Sequence, residues 1–133
     1  MAFAKEAMFL LSMMVVLGFF STTMICGTVY HVGDSAGWTG GKVDYHMWAS
    51  TKTFQVADTL VFQYNQQFHN LMRVSLSDFH SCNASNPIVS YSTGNDTITI
   101  HGPGHYYYIC GFQGHCQTGQ KVDIRVQKRL PNN

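Results

Sequence analysis

One stretch near the C-terminus decides how this sequence is interpreted, and it reads YYYICGFQGHCQTGQK over residues 106–121. Cys110, His115 and Gln120 are spaced five and five along it, between an aromatic, strand-like run and a second strand signal that begins at Lys121. Intervening glycines permit the tight backbone that such a short loop requires. A loop held by strands at both ends can fold three donor side chains around one ion.

The side chains of this loop favour a particular metal. One thiolate and two imidazoles, with a weak and distant axial ligand, form the arrangement of blue copper sites, where glutamine is one of the axial options. The second imidazole must come from another segment, and His69 is the best candidate because it closely follows the strand-like run that ends at Tyr64. The sequence therefore predicts one copper ion per chain, held by His69, Cys110, His115 and Gln120.

The first residues have the composition of a targeting segment. Lys5 is followed by an apolar run from Met8 to Phe20 and then by small polar residues. This order is typical of a secretory signal peptide, which we assign to residues 1–27 with cleavage between about residues 21 and 28. The alternative is an uncleaved anchor helix, for which the run is barely long enough. The remaining chain then comprises a domain over residues 28–127 and a short polar tail over residues 128–133.

The composition is that of a folded domain of nearly neutral charge. The chain has 133 residues, of which 45% are hydrophobic and 11% charged, and its formal net charge is +1. These values argue against disorder, and the absence of a basic run in the sequence argues against nucleic-acid binding. The length leaves room for one domain, which we expect to be a monomer.

The cysteines and the glycosylation signals fit an oxidising compartment. One of the four cysteines falls in the signal segment, and the other three are Cys82, Cys110 and Cys116. Three cysteines suggest one disulfide and one thiol with another role. The spacing would also permit a local disulfide between Cys110 and Cys116, which would leave Cys82 as the free thiol. Acceptor triplets for N-glycosylation start at Asn83 and Asn95. The C-terminus has no hydrophobic tail of the kind that a lipid anchor requires.

The domain is rich in short strand signals. Runs of β-branched and aromatic residues alternate with turns rich in Gly, Asn and Asp, and they predict strands over residues 28–32, 53–56, 59–64, 71–74, 97–100, 105–110 and 121–126. Residues 44–50 and 76–82 could form one or two short helices. This pattern predicts an all-β fold, an antiparallel sandwich or barrel.

The sequence resembles the phytocyanins, the plant blue copper proteins, over residues 28–126. The matching segments are VGDSAGW (residues 32–38), FQYN (62–65) leading to HN (69–70), SCN (81–83), NP (86–87) and the block over residues 106–121. Each segment alone would be a weak signal, but their order and spacing together are highly specific.

The resemblance implies a cupredoxin-like Greek-key sandwich. It places His69, Cys110 and His115 as the equatorial copper ligands and Gln120 at the axial position. Most phytocyanins carry Met at that position, so the glutamine makes this site similar to the stellacyanin type. The two methionines of the domain, Met47 and Met72, do not lie at the axial offset.

The resemblance also implies roles for residues around the ligands. It assigns the disulfide to Cys82 and Cys116, and it implies that Asn70 hydrogen-bonds the strand that carries Cys110, which would orient the ligands. The tryptophans are expected to pack in the interior rather than to act in function. The remaining histidines are expected at the surface or in hydrogen bonds: His31, His46, His80, His101 and His105.

These features predict an extracellular electron carrier of the apoplast or cell wall. It would cycle Cu(II)/Cu(I) by outer-sphere transfer at the edge of His115, exchanging electrons with a small molecule or a protein, and it would not be an enzyme. Two alternatives stay open at this point. One is a cell-wall copper-binding or signalling protein in which redox cycling is incidental. The other is a metal-free structural domain like the early-nodulin-like proteins, which resemble phytocyanins but lack the ligand set.

Overall fold

The computed structural model describes residues 26–128. Residues 1–25 and 129–133 lie outside this range, and with them most of the predicted signal peptide and of the C-terminal tail. Within residues 26–128, no helix is long and apolar enough to span a bilayer.

Within the described residues, eight strands form two sheets. The smaller sheet has the order β1-β3-β6 and contains β1 (Val29–His31), β3 (Thr59–Gln63) and β6 (Asn95–Thr99). The larger sheet has the order β2-β8-β7-β4-β5 and contains β2 (Phe54–Gln55), β8 (Lys121–Gln127), β7 (Gly104–Ile109), β4 (Leu71–Val74) and β5 (Val89–Tyr91). The predicted all-β sandwich with one or two short helices is confirmed.

The pairing is mixed rather than wholly antiparallel as the sequence predicted. β1 pairs with β3 and β2 pairs with β8 in parallel, whereas the other strand pairs are antiparallel. Parallel neighbours need a long connection between them. The chain supplies one between β1 and β3, where residues 32–58 hold a helix and the short β2.

Two short helices occupy connections between strands. α1 (Tyr45–Ser50) begins after Asp44, whose side chain accepts the backbone N–H of Met47. α2 (Leu76–Ser81) begins after Ser75, whose hydroxyl accepts the N–H of Asp78. Both caps satisfy backbone donors that a helix start leaves free, which explains where these helices begin.

The core lies between the sheets and contains a chain of aromatic rings. Trp38 contacts Tyr45 and Phe62, with ring centroids 4.9 and 5.3 Å apart, and Phe62 contacts Tyr108 at 5.1 Å. All four side chains are buried. Burial of such large rings supplies much of the hydrophobic stabilisation of a small domain. The aromatic chain also gives rigid support to the loops at one end of the sandwich.

Two local predictions differ from the structure. The sequence predicted a strand over residues 97–100, but the strand starts earlier, since Asn95 and Asp96 belong to β6 and pair with β3. Asp96 is tolerated inside the strand because it accepts hydrogen bonds from Tyr64 and Thr93. β5 was not predicted, since its residues are mostly exposed and lack a strong alternating pattern.

Candidate metal centre

The loop after β7 is closed at its base by strand pairing. The antiparallel register of β7 and β8 continues to Ile109 opposite Lys121, and the Cys110 N–H donates to the Gln120 carbonyl at 3.0 Å. Inside this hairpin, the Gln120 N–H donates to the His115 carbonyl at 3.0 Å. The five-and-five spacing therefore brings Cys110 and Gln120 together at the base of the loop and folds His115 back towards them.

His69 arrives at this loop on a different segment. It follows a tight turn in which its N–H donates to the Asn65 carbonyl, and β4 begins two residues later. β4 pairs with β7, with Met72 opposite Ile109. Since Met72 and Ile109 are neighbours in the sheet, His69 and Cys110 emerge at the same end of the sandwich.

The four predicted ligands converge. Cys110 Sγ lies 3.6 Å from His115 Nδ1, and His69 Nδ1 lies 3.1 Å from Gln120 Oε1. The Cys110 sulfur and one imidazole nitrogen from each of His69 and His115, the three predicted equatorial ligands, lie within 4.8 Å of one another. Cys110 and Gln120 are buried, whereas His69 and His115 are half-buried.

The donor set fits a metal ion. Ligand atoms bound to one ion at about 2.0–2.3 Å lie roughly 3.3–3.8 Å from one another, which is close to the observed Cys110–His115 separation. One soft sulfur and two imidazoles match the preference of copper, and the Gln120 oxygen is a weak donor. The Gln120 Oε1 faces His69 Nδ1, whereas the Gln120 Nε2 is buried and has no hydrogen-bond partner among residues 26–128.

Burial controls the protonation of two ligands. Burial lowers the pKa of His69, and the nearby His115 lowers it further, against the opposing effect of the hydrogen bond that the ring makes to Gln120 Oε1. Burial raises the pKa of the Cys110 thiol, against the opposing effect of the backbone N–H groups of Asn70 and Phe112. The lowered pKa of His69 favours the neutral imidazole that a metal ligand must present, whereas a metal that binds Cys110 would have to displace the thiol proton.

Asn70 links the two segments that carry the ligands. Its side-chain Oδ1 accepts the backbone N–H of Gly111 at 2.6 Å, directly after Cys110. Its backbone carbonyl accepts the indole N–H of Trp38 at 2.9 Å. The sequence indicated the first contact through the family resemblance. It gave no signal for the second, because the partners are 32 residues apart and an indole donor has no sequence periodicity.

The disulfide joins Cys82 and Cys116, at the end of α2 and directly after His115, and Cys110 is a free, buried cysteine. The alternative of a Cys110–Cys116 bond is therefore wrong. A loop tied to α2 next to His115 restricts the positions that this ligand can adopt.

The two segments that carry His69 and His115 contain no residue with a permanent charge. Neither residues 65–70 nor residues 111–120 include Asp, Glu, Lys or Arg. Phe68 is 58% exposed and Phe112 38% exposed, and the Phe112 ring stacks on His115 with centroids 5.9 Å apart. The surface at this end is therefore aromatic and amide-rich.

Other singled-out residues lie at the surface. Asn83 and Asn95 are exposed, as glycosylation requires. His105 pairs with Asp123 at 2.9 Å on the face of β7 and β8. The histidines that were expected outside the centre are exposed: His31, His46, His80, His101 and His105.

Similarity to known proteins agrees with this arrangement. The plastocyanin-like domain family matches residues 38–120. Stellacyanin of Toxicodendron vernicifluum is 51% identical over 106 residues, which cover 77% of this chain and 99% of stellacyanin.

The chain belongs to the phytocyanin family.

Further relatives extend the comparison. The structure of cucumber stellacyanin with Cu2+ at pH 7.0 matches this phytocyanin with a TM-score of 0.71 at 30% identity, covering 80% of this chain and 100% of that one. This similarity confirms the cupredoxin-like fold. The blue copper protein of Pisum sativum is 47% identical over 75% of this chain, which spans about half (52%) of that longer relative.

Proposed function

We propose that this phytocyanin is a secreted blue copper protein that carries single electrons. The observation that carries the proposal is the convergence of one thiol and two imidazoles within 4.8 Å, with the Gln120 oxygen beside them. When bound there, copper supplies one-electron chemistry by alternating between Cu(II) and Cu(I). The disulfide between Cys82 and Cys116 supports the secreted route, since such bonds persist in oxidising compartments.

The protein's contribution is to hold the ligands in one arrangement for both oxidation states. Cys110 is anchored by strand pairing, His115 by the adjacent disulfide, and the segment of His69 by the Asn70 contact to Gly111. A site that does not rearrange has little reorganisation to undergo during electron transfer. The ligand set offers no open position for a substrate, so the proposed role is that of a carrier rather than an enzyme.

The route for electrons is the partly exposed ring of His115. Phe112 stacks on this ring, and the exposed Phe68 directly precedes His69 in sequence. Because residues 65–70 and 111–120 contain no permanent charge, these two segments would not steer a redox partner of either sign, whether a small molecule or a protein.

Copper loading tests this proposal. Purified protein titrated with Cu(II) should bind one copper per chain and develop an intense thiolate-to-copper band in the visible spectrum. Cys110→Ser should abolish the band and leave far-ultraviolet circular dichroism unchanged, because only the sulfur is removed. The matched control is Ser90→Ala, an exposed serine on β5, which should retain the band.

The remaining outcomes separate the alternatives. Failure of the wild-type protein to take up copper would favour a metal-free structural role. Copper uptake without reversible reduction and reoxidation would favour a copper-binding protein in which redox cycling is incidental. An intense band that survives in Cys110→Ser would contradict the ligand assignment.

A further inference from the structure

Trp38 is buried next to the metal centre, and its indole group makes a directed contact. The side chain is 1% exposed, and its Nε1–H donates to the Asn70 carbonyl at 2.9 Å. Asn70 directly follows His69 in the chain. The indole therefore fixes a peptide group one residue from a predicted copper ligand.

Asn70 transmits this constraint to a second ligand. Its side-chain oxygen accepts the N–H of Gly111 at 2.6 Å, and Gly111 directly follows Cys110. Asn70 is thus the direct neighbour of one predicted ligand, His69, and its side chain holds the backbone next to the other, Cys110. If the carbonyl of Asn70 lost its donor, the orientation of the whole residue would become less restricted, including the amide that holds Gly111.

Trp38 is itself firmly held. Its backbone N–H donates to the Gln63 carbonyl at 2.8 Å, and its ring packs against Tyr45 and Phe62. The Tyr45 hydroxyl donates to the Gly37 carbonyl at 2.6 Å and accepts the Thr39 N–H at 2.8 Å. These bonds fix the residues on both sides of Trp38, so the indole N–H has one direction available.

We propose that Trp38 is a positioning residue for the metal centre, whose indole N–H orients His69 and Cys110 through Asn70. This inference rests on the proposed copper site for its functional meaning, but the hydrogen-bond relay exists in the protein without metal. The sequence alone placed Trp38 among the packing residues, and the structure adds a role that packing does not require.

The second tryptophan provides a matched control. Trp48 is also buried, but its Nε1 has no hydrogen-bond partner among residues 26–128, and its ring packs on Phe54 at 6.0 Å. Trp38→Phe removes an indole N–H that donates a hydrogen bond, whereas Trp48→Phe removes an indole N–H that donates none within residues 26–128. Both substitutions remove a similar volume from the core.

The first measurement needs no metal. Amide hydrogen exchange of the metal-free protein is followed by nuclear magnetic resonance, with the amides of β8 as the reference. The Gly111 amide should exchange about tenfold faster in Trp38→Phe than in the wild type, because the hydrogen bond from the Trp38 indole to the Asn70 carbonyl is lost. Trp48→Phe should leave Gly111 at the wild-type rate. Unchanged exchange at Gly111, or a uniform acceleration of all slow amides, would overturn the proposal.

The second measurement uses the loaded protein. Competition with a chelator should show about 10- to 100-fold weaker Cu(II) binding in Trp38→Phe, the range typical for residues that orient metal ligands. The electron paramagnetic resonance spectrum should change with it, while Trp48→Phe should match the wild type. A wild-type protein that forms no copper centre would contradict the proposed function, yet the exchange experiment would still decide the role of Trp38.

A third variant distinguishes the effect of the indole N–H from the effect of the ring volume. It also provides a test if Trp38→Phe does not fold. Benzothienylalanine at position 38 keeps the bicyclic shape and replaces the N–H with sulfur. This protein should reproduce the faster exchange of Gly111. If it instead shows wild-type exchange and wild-type copper affinity, Trp38 acts only by filling space and the proposal is wrong.

Discussion

At the scale of the single residue, Gln120 illustrates how a neutral side chain can adjust a metal site. It is completely buried, yet its Oε1 faces His69 Nδ1 at 3.1 Å, and the ideal Cβ position of Gly40 would lie 3.5 Å from that same oxygen. The amide is therefore enclosed, with its oxygen held towards the other donors. An oxygen donor at this position should favour Cu(II) over Cu(I) more than a thioether does.

Gln120→Met should raise the reduction potential. Each tenfold change in the relative affinity for the two oxidation states moves the potential of a one-electron couple by about 59 mV, and we expect a rise of at least this size. Redox titration followed by visible absorption measures it. Gln117→Met is the control, since Gln117 is exposed in the same loop and should leave the potential unchanged. Equal potentials in wild type and Gln120→Met would show that Gln120 is not an axial ligand.

At the scale of the element, the turn over residues 33–38 depends on close backbone contact with β3. Gly37 has φ +70° and ψ −153°, and a Cβ built on it would lie 2.6 Å from the Gln63 carbonyl oxygen. The same carbonyl accepts the Trp38 N–H. A side chain at position 37 would therefore push the turn, and Trp38 with it, away from β3.

Gly37→Ala should destabilise the protein by roughly 3 kcal/mol or more, since both backbone strain and a steric clash contribute. Gly41→Ala isolates the strain, because Gly41 has φ +71° but nothing within 4 Å of its ideal Cβ, and it should cost about 1–2 kcal/mol. Urea unfolding of both variants measures the difference. Equal losses of stability would mean that the approach to Gln63 contributes nothing.

The sequence predicts most elements and the ligand set, because these follow from local patterns. Alternation identifies β8, where Val122, Ile124 and Val126 are buried, and residue type identifies Cys110 and His115 as donors. The strand signals do not reveal that two pairings are parallel, since direction is set by connections across the whole chain. Nor do they reveal buried polar partners such as Asp96, whose position in a strand depends on a tyrosine 32 residues away.

At the scale of the whole molecule, the ionisation of Tyr45 and Tyr64 makes the free energy of unfolding depend on pH in the alkaline range. Burial raises the pKa of Tyr45 from 10.0 to about 12, against a smaller opposing hydrogen bond with Thr39. Burial also raises the pKa of Tyr64, and the hydrogen bond that its hydroxyl donates to Asp96 raises it further. In the unfolded chain both phenols would ionise near their ordinary pKa of about 10.

Ionisation of these tyrosines should therefore not change the free energy of unfolding below about pH 10, and this free energy should fall as pH rises from about 10 to 12. In that interval the unfolded state loses protons that the folded state keeps, and Tyr45 alone accounts for up to about 3 kcal/mol. Urea titrations at several pH values measure this. Tyr45→Phe should be less stable at neutral pH but should show a shallower alkaline decline, and an identical decline would contradict the assignment.

The disulfide next to His115 also constrains how the chain must mature. Cys82 and Cys116 are 34 residues apart, whereas Cys110 and Cys116 are separated by only 6. In an unstructured chain the shorter loop closes more readily, by about tenfold from chain entropy alone. Oxidation of the unfolded chain would therefore favour a bond between Cys110 and Cys116, which would consume the thiol that the metal needs. We therefore expect the three thiols to pair correctly only after the sandwich has assembled, when Cys110 is buried and Cys82 lies next to Cys116. Copper would then bind to a chain that is already folded.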